Sequence, residues 1–269
     1  MKPYPEIPHG LVVEHDGPVL RLRLDRPQRR NSLTDPIVYA LTDTIDAAAD
    51  DESVRVIHLE GTGDHFCSGF DLAQRAAGDD KPRAGSIHRR MNGHVNRLIP
   101  AMLTCQTPIV CTARGWIIGL GLDILLASDF AVVADDATLW APFTTFGFTP
   151  DSGASWLIPR LAGVARAREM LMLGTKVPGR DAADWGLVHR CAPAPELEAV
   201  GRELVDRLAL APTVAIGLTK LLLHRGLTSD IDRHLADEAW AMEVSSRSED
   251  FKEYGRASRD KRDPRFTGR

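Results

Sequence analysis

GWIIGLGLDILLASDFAVVADDATLWAPFTTFGFTPDSGASWLIPR, residues 115–160, is the stretch that decides how the rest of the chain is read. It opens on glycines, runs into an apolar segment holding one carboxylate, Asp123, and closes on Thr149-Pro150-Asp151-Ser152-Gly153. Gly119 and Gly121 flank Leu120 where the apolar run IVCTARGWII passes into the helix-like LGLDILLAS. Glycines at a helix start leave backbone N–H groups bare, a setting favourable to negative charge. Bare amide donors beside two carboxylates in apolar surroundings, Asp123 and Asp151, predict chemistry through an oxyanion with a proton moved next to it.

Outward from there, strand-like and helix-like segments alternate. Residues 11–24, LVVEHDGPVLRLRL, predict a hairpin around Asp16-Gly17-Pro18, the second arm alternating Leu with Arg. A polar loop, 26–33, leads to Thr34, which is placed to cap a helix whose apolar positions Ile37, Val38, Leu41, Ile45 and Ala48 recur at helical spacing. Strands are expected at 54–59, 108–112, 130–134 and 187–191, and a helix at 87 to about 103. Residues 73–86, AQRAAGDDKPRAGS, form the most polar, breaker-rich interval and read as a loop. This β-then-α order predicts an α/β fold with a mostly parallel sheet. After about Pro193 the character changes: 197–210, 214–225 and 230–245 are helical patterns without strands between them, and 252–269 is charged and loses its apolar face. The expected organisation is a core over 1–193 and a helical region over 194–269 that folds over the body or packs on a neighbouring subunit.

Composition narrows the function. With 269 residues, 43% hydrophobic and a net charge of −4, the chain can bury a substantial core and lacks the basic surface of a nucleic-acid binder. Cys67, Cys105, Cys111 and Cys191 show no C-x-x-C pairing, which predicts reduced thiols in a cytoplasmic protein and no zinc or other metal. Neither a signal peptide nor an apolar run of some 18 residues is seen, so no membrane partner is expected.

Two glycine turns matter together: Phe66-Cys67-Ser68-Gly69-Phe70-Asp71-Leu72, just after the 54–59 strand, and Gly119-Leu120-Gly121. Two strand–turn–helix passages can aim two N–H groups at one carbonyl oxygen, and losing one such donor costs on the order of 10²–10³ in rate. Each is equally readable as a plain tight turn. A nucleotide-phosphate loop is weakly supported, since the third glycine of G-x-G-x-x-G and a Gly-Lys-Ser/Thr are both missing. Asp123 has a structural alternative as a helix-terminal group bonded to nearby amides, and Asp151 as the N-cap of a helix over 153–161. Asp129, between a helix and a strand, reads as structural, and His65 and His94 as isolated groups rather than parts of a triad. The aromatics Trp116, Trp140, Phe143, Phe146, Phe148 and Trp156 read as core and pocket lining.

These motifs, FCSGFDL, the block 115–129, PDSGASWLIPRLAG and Ala182-Ala183-Asp184-Trp185-Gly186-Leu187-Val188, together with the Arg26-Pro27…Asn31-Ser32-Leu33 loop, resemble the crotonase family, the enoyl-CoA hydratase/isomerase superfamily. The resemblance runs nearly end to end. It implies a core of repeated ββα turns, a C-terminal helical region that builds trimers or paired trimers, and acyl-CoA thioester substrates. Coenzyme A then arrives as part of the substrate, with no separate cofactor. By motif position the Phe70 and Leu120 N–H groups would hold the thioester oxygen as it becomes an enolate. The family's usual glycine at the latter place is a leucine here, whose side chain would narrow the acyl pocket. Arg26, Arg29, Ser68, Phe70 and Leu72 fall where the family binds the CoA thioester.

The carboxylates depart from the hydratase pattern. Of the two glutamates that hold the attacking water, the first falls on Asp123 and the second, twenty residues on, on Phe143. A water that must be both deprotonated and delivered needs positioned partners, so ordinary hydration is not implied. Asp151 resembles in place the aspartate of family members that shift double bonds or open rings, and the nucleophile of 4-chlorobenzoyl-CoA dehalogenases. Isomerisation with Asp151 as base, its pKa raised by burial among Phe143, Phe146, Phe148 and Trp156, is the leading expectation. Hydration through Asp123, an acyl-CoA-binding protein without turnover, and an Asp151-nucleophile hydrolase or dehalogenase remain alternatives. Against the last, Asn96 stands where dehalogenases place a helper histidine.

Overall fold

The computed structural model describes residues 2–71, 83–93 and 95–269. Leu72, most of the 73–86 loop and His94 therefore lie outside the described residues. The hairpin forms as β1, Leu11–Asp16, and β2, Val19–Leu24, paired antiparallel from Leu11↔Leu24 to Asp16↔Val19. Period-two alternation sends Leu20, Leu22 and Leu24 into the core, while Arg21 and Arg23 pair on the other face with Asp16 and Glu14. From β2 onward the large sheet is parallel: β3 (Val56–Gly61), β4 (Ile109–Ala113), β6 (Phe130–Ala134) and β9 (Arg190–Ala192), in the order β1-β2-β3-β4-β6-β9.

A second, three-stranded sheet stands beside it: β5 (Trp116–Ile118), β7 (Thr138–Trp140) and β8 (Val177–Pro178). The chain alternates between the two. β4 feeds β5 and then the helix Leu120–Leu126, and β6 feeds β7 and later the helix Ala154–Met172, which bends at Gly163. This is the repeated ββα α/β architecture. Strands of two or three residues carry too little periodicity to be read in advance, so the second sheet was not expected.

Other boundaries moved for identifiable reasons. The 54–59 strand begins two residues later because ladder pairing starts at Val19↔Val56. The 187–191 strand shortens to Arg190–Ala192, since the N–H groups of Leu187 and Val188 turn back to the Ala182 carbonyl. The 87–103 helix is interrupted: Ser86–Gly93, a 3₁₀ turn Val95–Arg97, then Leu98–Thr104. Thr34 occupies the N-cap position of Asp35–Ala49, but its side chain makes no capping bond.

Four helices close the chain: Leu197–Ala209, Thr213–Gly226, Ile231–Ser245 and Glu249–Asp260. The first packs on the sheet so closely that a Cβ on Gly201 would lie 2.1 Å from Thr112 Cγ2. The last corrects the reading of 252–269 as merely a charged ending. Ser248 caps it, and the buried Asp250 carboxylate receives the Thr267 and Gly268 N–H groups, folding the terminus back. Among the described residues no helix is long and apolar enough to cross a membrane.

Candidate active site

The polar loop before the first helix is built around Asn31, which the sequence placed in the loop motif without a role of its own. Wholly buried and left-handed (φ 54°), it accepts the Arg26 N–H at 2.8 Å and donates to the Thr62 and His65 carbonyls at 2.9 and 2.7 Å. Its sequence signal was an asparagine at a turn, where a positive φ is tolerated. Arg26 donates to the Ser32 carbonyl at 2.6 Å and ion-pairs with Asp71 at 3.1 Å, tying the loop to the first glycine turn. Arg29 is exposed and shares with Arg26, Asp71 and His9 the wall of an open cavity of about 550 Å³. Ser68 donates its N–H to the Arg30 carbonyl at 2.9 Å.

The two glycine turns lie side by side. Cys67 bridges Ile117 in parallel, donating to the Trp116 carbonyl at 3.0 Å and accepting from the Ile118 N–H at 2.9 Å. Leu33 bridges Phe70 from the opposite side, and Gly69 between them takes φ 86°. A Cβ on Gly69 would lie 2.9 Å from the Ile118 carbonyl oxygen, so only glycine lets the turns approach this closely. Gly119 (φ 54°) donates to the Trp140 carbonyl, and its own carbonyl accepts the first intrahelical bond from the Asp123 N–H at 3.0 Å. Leu120 is thus the first residue of its helix, where an N–H has no partner within the helix. Its side chain is buried in the apolar core. His65 accepts the Trp116 N–H at Nδ1, supporting the strand that leads to this turn.

The carboxylates differ from the structural alternatives weighed for them. Asp123 is 0% exposed, and among the described residues neither of its oxygens has a hydrogen-bond partner. It is therefore not a helix-terminal group satisfied by amides. Burial holds its pKa well above the usual carboxylate range, and the nearby Asp151 charge adds to that. Asp151 is not an N-cap either. Gly153 takes that position, while the Asp151 side chain accepts from Ser152 Oγ at 3.2 Å. Asp151 is an exposed residue whose carboxyl is crowded enough for burial to raise its pKa, Ser152 opposing. The aromatic enclosure expected around it is incomplete: Phe143 is buried, but Phe146 and Phe148 are exposed and Trp156 lies under Arg160 at 4.0 Å.

Six residues beyond Asp123, Asp129 behaves as a structural group. Its Oδ2 accepts the Ile109 N–H at 2.8 Å and the buried Lys220 ammonium at 2.7 Å. Lys220, 91 positions away, gave no local sign of this role.

The α/β core thus carries a site in which two adjoining glycine turns lie near a shielded carboxyl group and an open one. The comparisons give its family. The enoyl-CoA hydratase/isomerase family model matches residues 14–269, and the chain belongs to that family, as an enzyme of hydratase/isomerase type. It is 31% identical to the 1,2-epoxyphenylacetyl-CoA isomerase of Escherichia coli, over 93% of this chain and 95% of that one. It is 29% identical to the 4-chlorobenzoyl coenzyme A dehalogenase-1 of an Arthrobacter species, over 83% and 81%. The crystal structure of an enoyl-CoA hydratase from Bacillus anthracis superposes with a TM-score of 0.90 at 26% identity, covering 97% of this chain and all of that one.

Proposed function

We propose that this enzyme shifts a double bond along the acyl chain of an enoyl-CoA thioester, with Asp151 carrying the proton. The observation behind this reading is the split between two neighbouring carboxyl groups: Asp123 is sealed and raised well above the normal range, while Asp151 is open and less perturbed. Two titratable groups driven apart in this way are suited to divide acid and base roles. In the proposed reaction the Asp151 carboxylate removes a proton from C2 of a 3-enoyl-CoA. The electron pair delocalises onto the thioester oxygen, held by the Phe70 and Leu120 N–H groups. The Asp151 acid returns a proton to C4, leaving the 2-enoyl thioester with no atom gained or lost. Asp123 is the neutral acid beside this path. Phe143, buried and apolar, offers no second carboxylate for a water.

The likeness to an isomerase of an acyl-CoA over 93% of the chain supports this reading. Hydration through Asp123 is the second reading, favoured by the likeness to an enoyl-CoA hydratase structure. For the dehalogenase chemistry of the Arthrobacter relative, Asn96 offers no base: it lies on the 3₁₀ turn and bonds Asn92. The apolar side chains exposed along 223–254, including Leu223, Leu227, Ile231, Trp240 and Tyr254, support assignment of 194–269 as the region that builds a homotrimer or hexamer.

Incubation in D₂O with matched 2-enoyl- and 3-enoyl-CoA, followed by mass spectrometry, separates the readings. Deuterium in the chain with a moved double bond and no added water is the expected result. Gain of one water identifies a hydratase and overturns the proposal.

A further inference from the structure

The two glycine turns meet at one side chain. Cys67 is wholly buried, and its Sγ lies 3.4 Å from the Gly69 nitrogen, accepting the N–H one residue before Phe70. On its other flank a Cβ at Gly121 would stand 2.6 Å from Cys67 Cβ and 2.8 Å from Sγ. The thiol is thus wedged between the residue that follows Leu120 and the residue that precedes Phe70. The main-chain bonds of Cys67 to Trp116 and Ile118 fix the wedge from behind. Burial pushes the thiol up to about 12, so it stays protonated at neutral pH and acts through its size and its acceptor lone pairs rather than as a nucleophile.

We infer that the Cys67 side chain is the spacer between the two amide-bearing turns, a positioning residue that sets the distance between the Phe70 and Leu120 N–H groups. This rests on the reading of those two amides as the thioester-oxygen site. The physical reason is the absence of slack. Gly121 has no side chain to yield, Gly69 is pressed on the Ile118 carbonyl, and close-packed backbone transmits a change of one methyl group. Serine keeps a small acceptor for the Gly69 N–H. Alanine removes the acceptor and leaves a gap. Valine drives a methyl against Gly121 and parts the turns.

The test is isotope-edited infrared spectroscopy of carbonyl-labelled butyryl-CoA bound to the protein, since the carbonyl stretch reports the hydrogen bonds to its oxygen without turnover. The wild type and Cys67→Ser are expected to lower the stretch equally, Cys67→Ala less, and Cys67→Val least. In parallel, Cys67→Val should lose roughly 10²-fold in kcat on the enoyl-CoA substrate, the cost of about 1 Å of misplacement, with KM little changed. Cys67→Ala carries the comparison if the valine variant fails to fold. Folded alanine and valine variants that keep the full carbonyl shift and kcat overturn the inference and leave the oxygen site intact. A wild type that shows no shift overturns the oxygen-site reading, and the inference with it.

Discussion

Asp123, inside the short helix Leu120–Leu126, and Asp129, three residues past its end, lie six residues apart, and the fold treats them oppositely. Burial pushes both carboxyl groups up. At Asp129 the Lys220 ammonium and the Ile109 N–H oppose that push; at Asp123 nothing opposes it, and the Asp151 charge pushes it further. One site is finished as structure and the other is left chemically unsatisfied. A buried polar group without partners among the described residues is costly, so the fold holds Asp123 at a penalty that Asp129 avoids.

The comparison can be broken most forcefully at Asp151. Asp151→Asn should lower kcat by about 10²–10⁴-fold, the range for a positioned proton carrier. Thermal melting should move little, because the residue is exposed. Retained double-bond shifting would dismiss Asp151 as the base.

Lys220→Met probes the finished site. It strands the part-buried Asp129 carboxylate, and leaving such a group without its partner costs about 1–3 kcal/mol. Denaturant unfolding should show that loss while kcat per folded molecule is unchanged. A loss well below 1 kcal/mol would make Asp129 no more structural than Asp123.

His58 extends the contrast to a buried base. Its Nε2 meets Thr112 Oγ1 at 3.0 Å, its Nδ1 has no partner among the described residues, and burial lowers its pKa from 6.5 to about 4. A lowered pKa means that its contribution is fully present above pH 6.5 and is lost as pH falls through about 4. The loss amounts to about 3 kcal/mol at one pKa unit per 1.36 kcal/mol. His58→Gln should flatten stability across that window, and an unchanged slope would assign the acid lability elsewhere.

The remaining test is at Asp123 itself. A raised carboxyl contributes stability that is complete below the ordinary value of 3.8 and erodes as pH climbs toward its folded value. Asp123→Asn removes this erosion. Its melting temperature relative to wild type should rise from acid to mildly alkaline pH, and a parallel pair of curves would show the acid to be partnered after all.

Much of the fold was legible because its signals are local. Alternating Leu and Arg placed β2, the helical spacing of Ile37 to Ala48 placed the first helix, and clustered glycines placed both turns. The three short strands of the second sheet were not, since two or three residues do not complete a period. The amphipathic helix Glu249–Asp260 was hidden because its buried face is one carboxylate, Asp250, bonded to the terminus, and one alanine, Ala257. Asn31 looked like a loop residue and Cys67 like a near-core thiol in a turn, but their contacts reach 34 and 50 positions along the chain, to His65 and Ile117.

By itself, then, the sequence determined the alternation of strand and helix, the two turns requiring positive φ, and the apolar identity of position 143, Phe143. Periodicity, glycine geometry and side-chain identity are properties of neighbouring residues. The tertiary structure alone decided which carboxyl group is sealed and raised furthest, which is open, and which is tied to a lysine 91 positions away. A pKa and a hydrogen-bond partner depend on what distant segments pack around a group, and no local pattern specifies that.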